Sequence, residues 1–151
     1  MNSPIYRFFG SMQRILMSEK ETASQYDLIE GTFPPGAQSP LHVHANYSET
    51  IIVLEGQVTI YMPGQQHSLK AGESHFITRD VVHCVVNQSE TSPFKAIVVA
   101  SPSGFARLIR SVGICENGTN EPQQSFDMQL AAQVMAEIGD TILGPPGARP
   151  E

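Results

Sequence analysis

Four side chains restrict what this chain can fold into more than any others: His42, His44, Glu49 and His83. His42 and His44 are two residues apart, so both point to the same side if their segment is a β-strand. Glu49 lies an odd number of residues beyond His44 and would face away on a continuous strand. The chain must therefore turn between them, and residues 45–48 are of suitable types for a turn. His83 then has to return from a distant segment to join the other three.

Three imidazoles and one carboxylate can hold a divalent transition metal. This donor set suits Fe, Mn, Ni, Cu, Co or Zn and does not identify which. Four protein ligands on an ion that accepts five or six partners leave positions for water, substrate or oxygen. Two roles are open for Glu49, because a carboxylate beside a metal can act as a plain ligand or can accept a proton from a phenol or enol.

Short apolar runs between turn residues predict a mainly β chain. Turn signals recur at intervals of roughly 8 to 12 residues, the spacing of a sandwich or barrel; they are Gly56, 63–64, Gly72 and Asp80. Residues 57–62 alternate polar and apolar side chains, as a half-buried strand does.

The pattern changes after residue 101. Apolar residues recur at helical spacing over 104–112 and over 127–139, so both segments are predicted to be helices, separated by a polar loop at 116–124. Gly139 is a plausible stop for the second helix. The tail 144–151 is rich in Pro and Gly and is predicted to be extended.

Composition excludes several classes of protein. The chain has 151 residues, a net charge of −6 and no basic cluster, which argues against a nucleic-acid partner. Cys84 and Cys115 are too few for a disulfide scaffold and suit a reducing compartment. No segment is apolar enough for a signal peptide or a membrane span, so we expect a cytoplasmic protein with no membrane partner.

At these residues the sequence resembles the cupin superfamily. The first cupin motif is matched at Gly36, His42, His44, Glu49 and Gly56. The second is matched at Gly72, His83 and Asn87, with Thr78 and Asp80 where proline and glycine are usual. Asp is among the few residues that tolerate the left-handed conformation that glycine would supply.

The resemblance implies a single domain over 1–151, with a jelly-roll β-barrel at about 22–101 and a short C-terminal extension of helices and tail at 102–151. It also implies a metal held by the four residues named above, and commonly a dimer. Segments 26–44, 101–105 and 142–147 look like small single-domain bacterial cupins described as quercetinase-like.

Other residues are candidates for the pocket. The apolar wall is predicted to comprise Ile51, Val53, Val58, Ile60 and Val85. His75 shares the period-two face of Ile77 and could contact substrate, although a histidine held by backbone at a barrel rim is the more common case. Tyr47 could orient Glu49, but its turn position favours surface packing. Cys84 should point away from the barrel interior if His83 points in.

Apolar residues also occupy the outer face of the predicted sheet. If Glu49, Ile51 and Val53 face inward, Ile52 and Leu54 face outward. A sheet that is apolar on both faces needs cover on both, and two helices cover only part of it. The pattern therefore predicts a homodimer.

The leading hypothesis is a metal-dependent oxygenase of the dioxygenase type that acts on a small aromatic or enol-type molecule. Two alternatives stay open, since cupins support many reactions. One is a non-catalytic module that binds or senses a metal or small ligand. The other is a redox-neutral, metal-dependent isomerase or decarboxylase.

Overall fold

The computed structural model describes residues 3–116 and 126–151, which form a mainly β fold with short helices near the C-terminus. The strands are β1 (Ile5–Phe8), β2 (Ser11–Met17), β3 (Asp27–Phe33), β4 (Leu41–His44), β5 (Ser48–Glu55), β6 (Gln57–Met62), β7 (Gln65–Lys70), β8 (Ser74–Ile77), β9 (Cys84–Val86), β10 (Phe94–Ser101), β11 (Ile114–Cys115) and β12 (Asp140–Gly144). The helices are α1 (Glu19–Thr22), α2 (Phe105–Val112) and α3 (Met128–Ile138).

Two antiparallel layers enclose the core of the molecule. The larger is a seven-stranded sheet in the order β11-β1-β2-β3-β10-β5-β8. The smaller layer consists of β7-β6-β9 and of β12-β4. Paired backbone hydrogen bonds of 3.0 and 2.9 Å between His42 and His83 join these two groups of strands. The result is the jelly-roll architecture that the resemblance to cupins implies.

Side chains from both layers interdigitate in one buried cluster. The larger sheet contributes Ile51, Val53 and Phe94, and the smaller layer contributes Val58 and Ile60. Each is at most 2% exposed. A second cluster lies where α2 and α3 pack on the N-terminal strands and includes Phe8, Ile29, Ile109 and Val134.

The strands extend beyond the barrel boundaries of 22–101 expected from the sequence. β1 and β2 precede residue 22 and belong to the larger sheet. The extended tail predicted at 144–151 is also only partly correct, because β12 reaches Gly144 and pairs with β4, and a turn follows it. Polar residues interrupt the alternation of β2, and Pro and Gly residues directly follow β12. A period-two pattern therefore identifies neither strand.

The two C-terminal helices begin and end where the sequence predicts. Asp127 caps α3 by accepting hydrogen bonds from the amides of Gln129 and Leu130, and Gly139 ends it in a left-handed conformation. Of the polar loop predicted at 116–124, only Glu116 lies within the described residues. No helix in the described ranges is both long and apolar enough to cross a membrane.

Two turns predicted from the sequence place the candidate ligands. The chain leaves strand conformation between His44 and Ser48, as the odd spacing to Glu49 requires. Asp80 adopts a φ of 65°, the left-handed conformation expected for the residue that replaces a glycine. Its amide donates a 2.8 Å hydrogen bond to the carbonyl of His44, which ties the second motif to the first.

Candidate metal centre

Three segments bring the four candidate ligands together. β4 carries His42 and His44, β5 carries Glu49, and His83 directly precedes β9. One potential ligand atom from each residue lies within 4.8 Å of the others. Three of the side chains are buried, and His42 is partly buried. The structure therefore assembles a group of donors that could bind a metal.

Hydrogen bonds on the outer side of each ring fix the imidazole tautomers. Nδ1 of His42 lies 2.7 Å from the carbonyl of Pro40, and Nδ1 of His83 lies 2.9 Å from the carbonyl of Val81. A carbonyl can only accept, so both Nδ1 atoms carry the hydrogen and both Nε2 atoms keep a lone pair. In the same way, Nδ1 of His44 donates over 2.7 Å to Oδ1 of Asp140.

The inner side of the cluster is consequently rich in acceptors. Nε2 of His44 lies 2.8 Å from Oε2 of Glu49, and Nε2 of His83 lies 3.7 Å from the same oxygen. The His83 nitrogen is buried and has no hydrogen-bond partner among the described residues. When all three imidazoles are neutral, three lone pairs and a carboxylate face each other and need a cation between them, and without a metal that charge is the extra proton of His44. The residues present therefore fit a divalent transition metal.

Burial and close neighbours shift the pKa values of three of the four candidate ligands. Burial disfavours a charged His44, but hydrogen bonds to Asp140 and Glu49 outweigh it and raise the pKa of His44 to about 9. Burial, together with the charges of His83 and His44, lowers the pKa of His42 to about 3. Burial alone would raise the pKa of Glu49, yet its hydrogen bond with His44 and the charge of that ring hold it well below its ordinary value. In the metal-free protein at neutral pH, Glu49 is therefore ionised, His42 is neutral, and His44 is in its positively charged form with a hydrogen on both ring nitrogens.

A buried pair behind His44 completes the centre. Oδ1 of Asp140 accepts the His44 hydrogen bond, and Oδ2 accepts a 2.9 Å hydrogen bond from the Tyr47 hydroxyl. The Tyr47 ring stacks on the His44 ring with centroids 4.3 Å apart. Burial and the nearby carboxylates raise the pKa of Tyr47 well above its ordinary value, so the phenol remains a donor. Asp140 and Tyr47 together fix the orientation of His44.

A mostly apolar cavity of about 100 Å³ opens beside the cluster. His42, His44 and Glu49 form one part of its wall. The remaining wall comes from both layers and both C-terminal helices and includes Phe8, Phe33, Phe94, Val98, Leu108 and Met135. None of its lining residues in the described chain is Lys or Arg.

This fold agrees with what comparison with known proteins shows. A cupin-domain family profile matches residues 29–100. An RmlC-like cupin from Shewanella frigidimarina superposes with a TM-score of 0.57 at 23% identity, over 67% of this chain and 85% of that chain. Residues 29–100 therefore form a cupin domain.

Two further comparisons bear on function. Quercetin 2,3-dioxygenase from Bacillus subtilis is 28% identical over 102 residues, which cover 68% of this chain but only 30% of that protein. The polyketide cyclase RemF from Streptomyces resistomycificus superposes with a TM-score of 0.55 at 27% identity, over 62% of this chain and 66% of that chain.

Only some of the pocket residues expected from the sequence lie at the cavity. Ile51 and Val85 line the cavity. Val53, Val58 and Ile60 do not line it; they belong to the packed core between the layers. The alternation of β5 and β6 predicts that these side chains face inward. It does not predict whether they meet other side chains or an open cavity.

His75 is not a cavity residue either. It lies on β8 and stacks on His67 of β7, with ring centroids 4.4 Å apart. Cys84 points away from the cavity, as expected, and lies buried against Ala148. Tyr47 differs from the expected surface packing, since it is 1% exposed.

Sequence reasoning did not find Asp140 or Gln13, which both line the cavity. Asp140 is 96 residues from the histidine that it contacts, and no spacing rule links them. The position of Gln13 also becomes apparent only from the structure. Ser11 and Gln13 occupy buried positions of β2, where polar side chains are unusual.

Proposed function

We propose that this cupin is a metal-dependent oxygenase of the dioxygenase type that acts on a small aromatic or enol-type molecule. The observation that carries the proposal is the position of the four-residue cluster at the wall of an apolar cavity. A site that only stabilised the fold would not need three of its donors on a cavity wall.

His42, His44, Glu49 and His83 would hold the metal through the three Nε2 atoms and a carboxylate oxygen. When bound, the metal would supply charge stabilisation for an enolate or phenolate and a redox centre for reaction with oxygen. The apolar wall excludes water from this region, which strengthens the electrostatic interactions inside it.

Glu49 is the residue placed to accept a proton from the substrate. Its carboxylate lines the cavity and is ionised at neutral pH, because its pKa is held well below the ordinary value. Proton acceptance at the carboxylate oxygen that does not hold the metal would generate the anionic form of a phenol or enol.

The size and charge of the cavity favour a small neutral substrate. An engineered apolar cavity of about 150 Å³ takes a benzene molecule, and this cavity is about 100 Å³. We therefore expect a ligand of one ring or less, and a three-ring flavonol would require the wall to open. The similarity to quercetin 2,3-dioxygenase supports the reaction type without extending to that substrate.

Oxygen consumption tests the proposal directly. Metal-stripped protein would be reloaded separately with Fe(II), Mn(II) or Ni(II) and offered single-ring phenols, catechols, small diketones and flavonols. We expect oxygen uptake with at least one small substrate, and we expect Glu49→Gln to reduce it by at least about 100-fold. Glu55→Gln is the matched control, because Glu55 is an exposed carboxylate on the same strand. Stoichiometric metal with no oxygen uptake across the panel would contradict the proposal.

A redox-neutral reaction is the second candidate, favoured by the similarity to a polyketide cyclase. The same cluster could stabilise an enolate without consuming oxygen. Product formation by the metal-loaded protein under strictly anaerobic conditions would favour this alternative over the oxygenase.

A further inference from the structure

One polar group in the cavity wall is not explained by the metal cluster. Gln13 on β2 is 4% exposed and lines the cavity, and its Oε1 has no hydrogen-bond partner among the described residues. β2 is three strands away from β5, the strand of Glu49, in the order of the larger sheet. Gln13 therefore belongs to a different part of the wall from the ligands.

The orientation of the Gln13 amide follows from its neighbours. The Ser11 hydroxyl donates its only hydrogen to the carbonyl of Phe8 over 2.7 Å. Ser11 Oγ can then only accept from Gln13, whose Nε2 lies 2.8 Å away. The amide nitrogen is thus committed to Ser11, and the oxygen is the atom left without a partner.

The facing strand provides the space that this side chain needs. Gln13 pairs with Gly31 of β3, and a Cβ at Gly31 would lie only 3.0 Å from Oε1 of Gln13. A larger residue at position 31 would therefore displace the amide oxygen. β2 also carries polar residues at two successive inward positions, where the barrel would gain stability from apolar ones.

A buried acceptor without a partner is destabilising, because it has lost its hydrogen bond to water and gained none in return. A ligand that supplies a donor removes this destabilisation, and a ligand that lacks one does not. We propose that Gln13 is a specificity-determining residue whose Oε1 accepts a hydrogen bond from the substrate. The substrate is then a neutral molecule of one ring or less that carries an O–H or N–H donor on the part facing β2.

This inference rests on the proposed function for the substrate class, but its test does not require turnover. Zinc has no redox chemistry, so zinc-loaded protein under anaerobic conditions binds without reacting. The probes are 1,2,4-benzenetriol and 4-fluorocatechol, which differ only by a hydroxyl replaced with a fluorine that cannot donate. A third probe, 3,4-dihydroxybenzoate, has a carboxylate at the same ring position.

Calorimetric titration should show that the wild-type protein binds the triol about 3- to 10-fold more tightly than the fluoro compound. The benzoate should bind more weakly than the triol, since its carboxylate would face the Gln13 oxygen. Gln13→Met should abolish the preference for the triol. Gly31→Ala should reduce that preference while Gln13 is still present.

Val98→Ala is the matched control, because Val98 lines the same cavity with an apolar side chain. It should alter the affinity for the triol and the fluoro compound alike and leave their ratio unchanged. Thermal melting of each variant checks the fold. If Gln13→Met does not fold, the wild-type ratio and the Gly31→Ala ratio still decide the matter.

An equal affinity of wild-type protein for the triol and the fluoro compound would overturn the inference, as would a preference that persists in Gln13→Met. Failure of all three probes to bind would overturn it too. A Gln13-dependent preference without oxygen uptake by Fe, Mn or Ni forms would support this inference while removing the oxygenase. Oxygen uptake together with a triol preference that does not depend on Gln13 would support the oxygenase and overturn this inference.

Discussion

At the scale of single residues, Asp140 is the group on which the geometry of the metal centre most depends. Its Oδ1 accepts a hydrogen bond from Nδ1 of His44, so that Nε2 faces the cluster. Loss of such an outer partner lowers metal affinity by about 10- to 100-fold in other metal sites. We expect Asp140→Asn to weaken zinc binding by that amount in a chelator competition assay. Thr141→Ala, an exposed change on the same strand, should not alter it, and equal affinities of the two variants would contradict the role assigned to Asp140.

The protonation of His44 makes a second prediction. Its pKa in the folded, metal-free protein is raised to about 9, so the ring is a positively charged imidazolium at pH 7. The pKa of His42 is lowered to about 3, and Glu49 is ionised, so neither contributes a proton. Metal must displace the His44 proton, and affinity should therefore rise about tenfold per pH unit from pH 6 to 8.

Calorimetry in buffers of different ionisation enthalpy measures this displacement. We expect about one proton released per zinc bound at pH 7. Release of none would show that His44 is already neutral in the metal-free protein, contrary to the hydrogen bonds it makes with Asp140 and Glu49.

The ligands themselves could be predicted from the sequence because the evidence for them is local. A spacing of two placed His42 and His44 on one face, and the odd step to Glu49 required a turn that the structure contains. Asp140 and Gln13 could not be found in that way. Their contacts depend on which strands become neighbours, and no local pattern encodes that information.

At the scale of secondary-structure elements, β12 is the segment that carries Asp140 to the centre. Gly139 ends α3 with a φ of 82°, and the chain then pairs with β4. A Cβ at Gly139 would lie 2.5 Å from the Nδ2 atom of Asn46. This turn therefore leaves little tolerance for any other residue.

We expect Gly139→Ala to lower both the melting temperature and the zinc affinity. The left-handed conformation alone costs a non-glycine residue about 1–2 kcal/mol, and the contact with Asn46 adds to it. Gly64→Ala is the matched control, because Gly64 has a φ of 69° with nothing within 4 Å of its Cβ position. It should lose stability without losing zinc affinity. An unchanged zinc affinity in Gly139→Ala would argue against the role of β12.

The elements were predictable to the extent that their patterns were simple. α2 and α3 show apolar residues at helical spacing and have clear ends, so their bounds agree closely with the expectation. β12 is only half-buried to exposed and leads directly into a Pro-Gly segment. Its strand conformation comes from pairing with β4, a tertiary effect that outweighs local propensity.

At the scale of the whole molecule, the outer face of the larger sheet predicts self-association. An outer patch on β5, β8 and β10 consists of Ile52, Leu54, Phe76 and Ile97, and Leu54 and Phe76 are 43% and 59% exposed. Adjacent exposed apolar side chains on one face of a sheet favour an isologous contact with a second copy. We expect a dimer by light scattering at micromolar concentration.

Phe76→Glu should convert the dimer to a monomer, because it would bury a charge in the apolar contact. Met128→Glu is the control, since Met128 is 56% exposed on α3 and lies outside the patch. A monomeric wild-type protein, or a Phe76→Glu variant that remains dimeric, would contradict this arrangement.

Turn spacing predicted a sandwich or barrel, and the resemblance to cupins implied the jelly roll, but the position of the cavity could not be predicted. Val53, Val58 and Ile60 face inward like Ile51, yet only Ile51 borders the cavity. Whether an inward residue meets another side chain or open space depends on how both layers and both C-terminal helices pack. That packing is a property of the complete molecule.

The central claim is that His42, His44, Glu49 and His83 hold a transition metal in the cell. Elemental analysis of protein purified without chelators or metal-affinity resins tests it most directly. We predict close to one transition-metal ion per wild-type chain and a loss of nearly all of it in His83→Ala, with His67→Ala unchanged as the control. A wild-type protein that contains no metal and binds none when Fe, Mn, Ni, Co, Cu or Zn is added would contradict the claim.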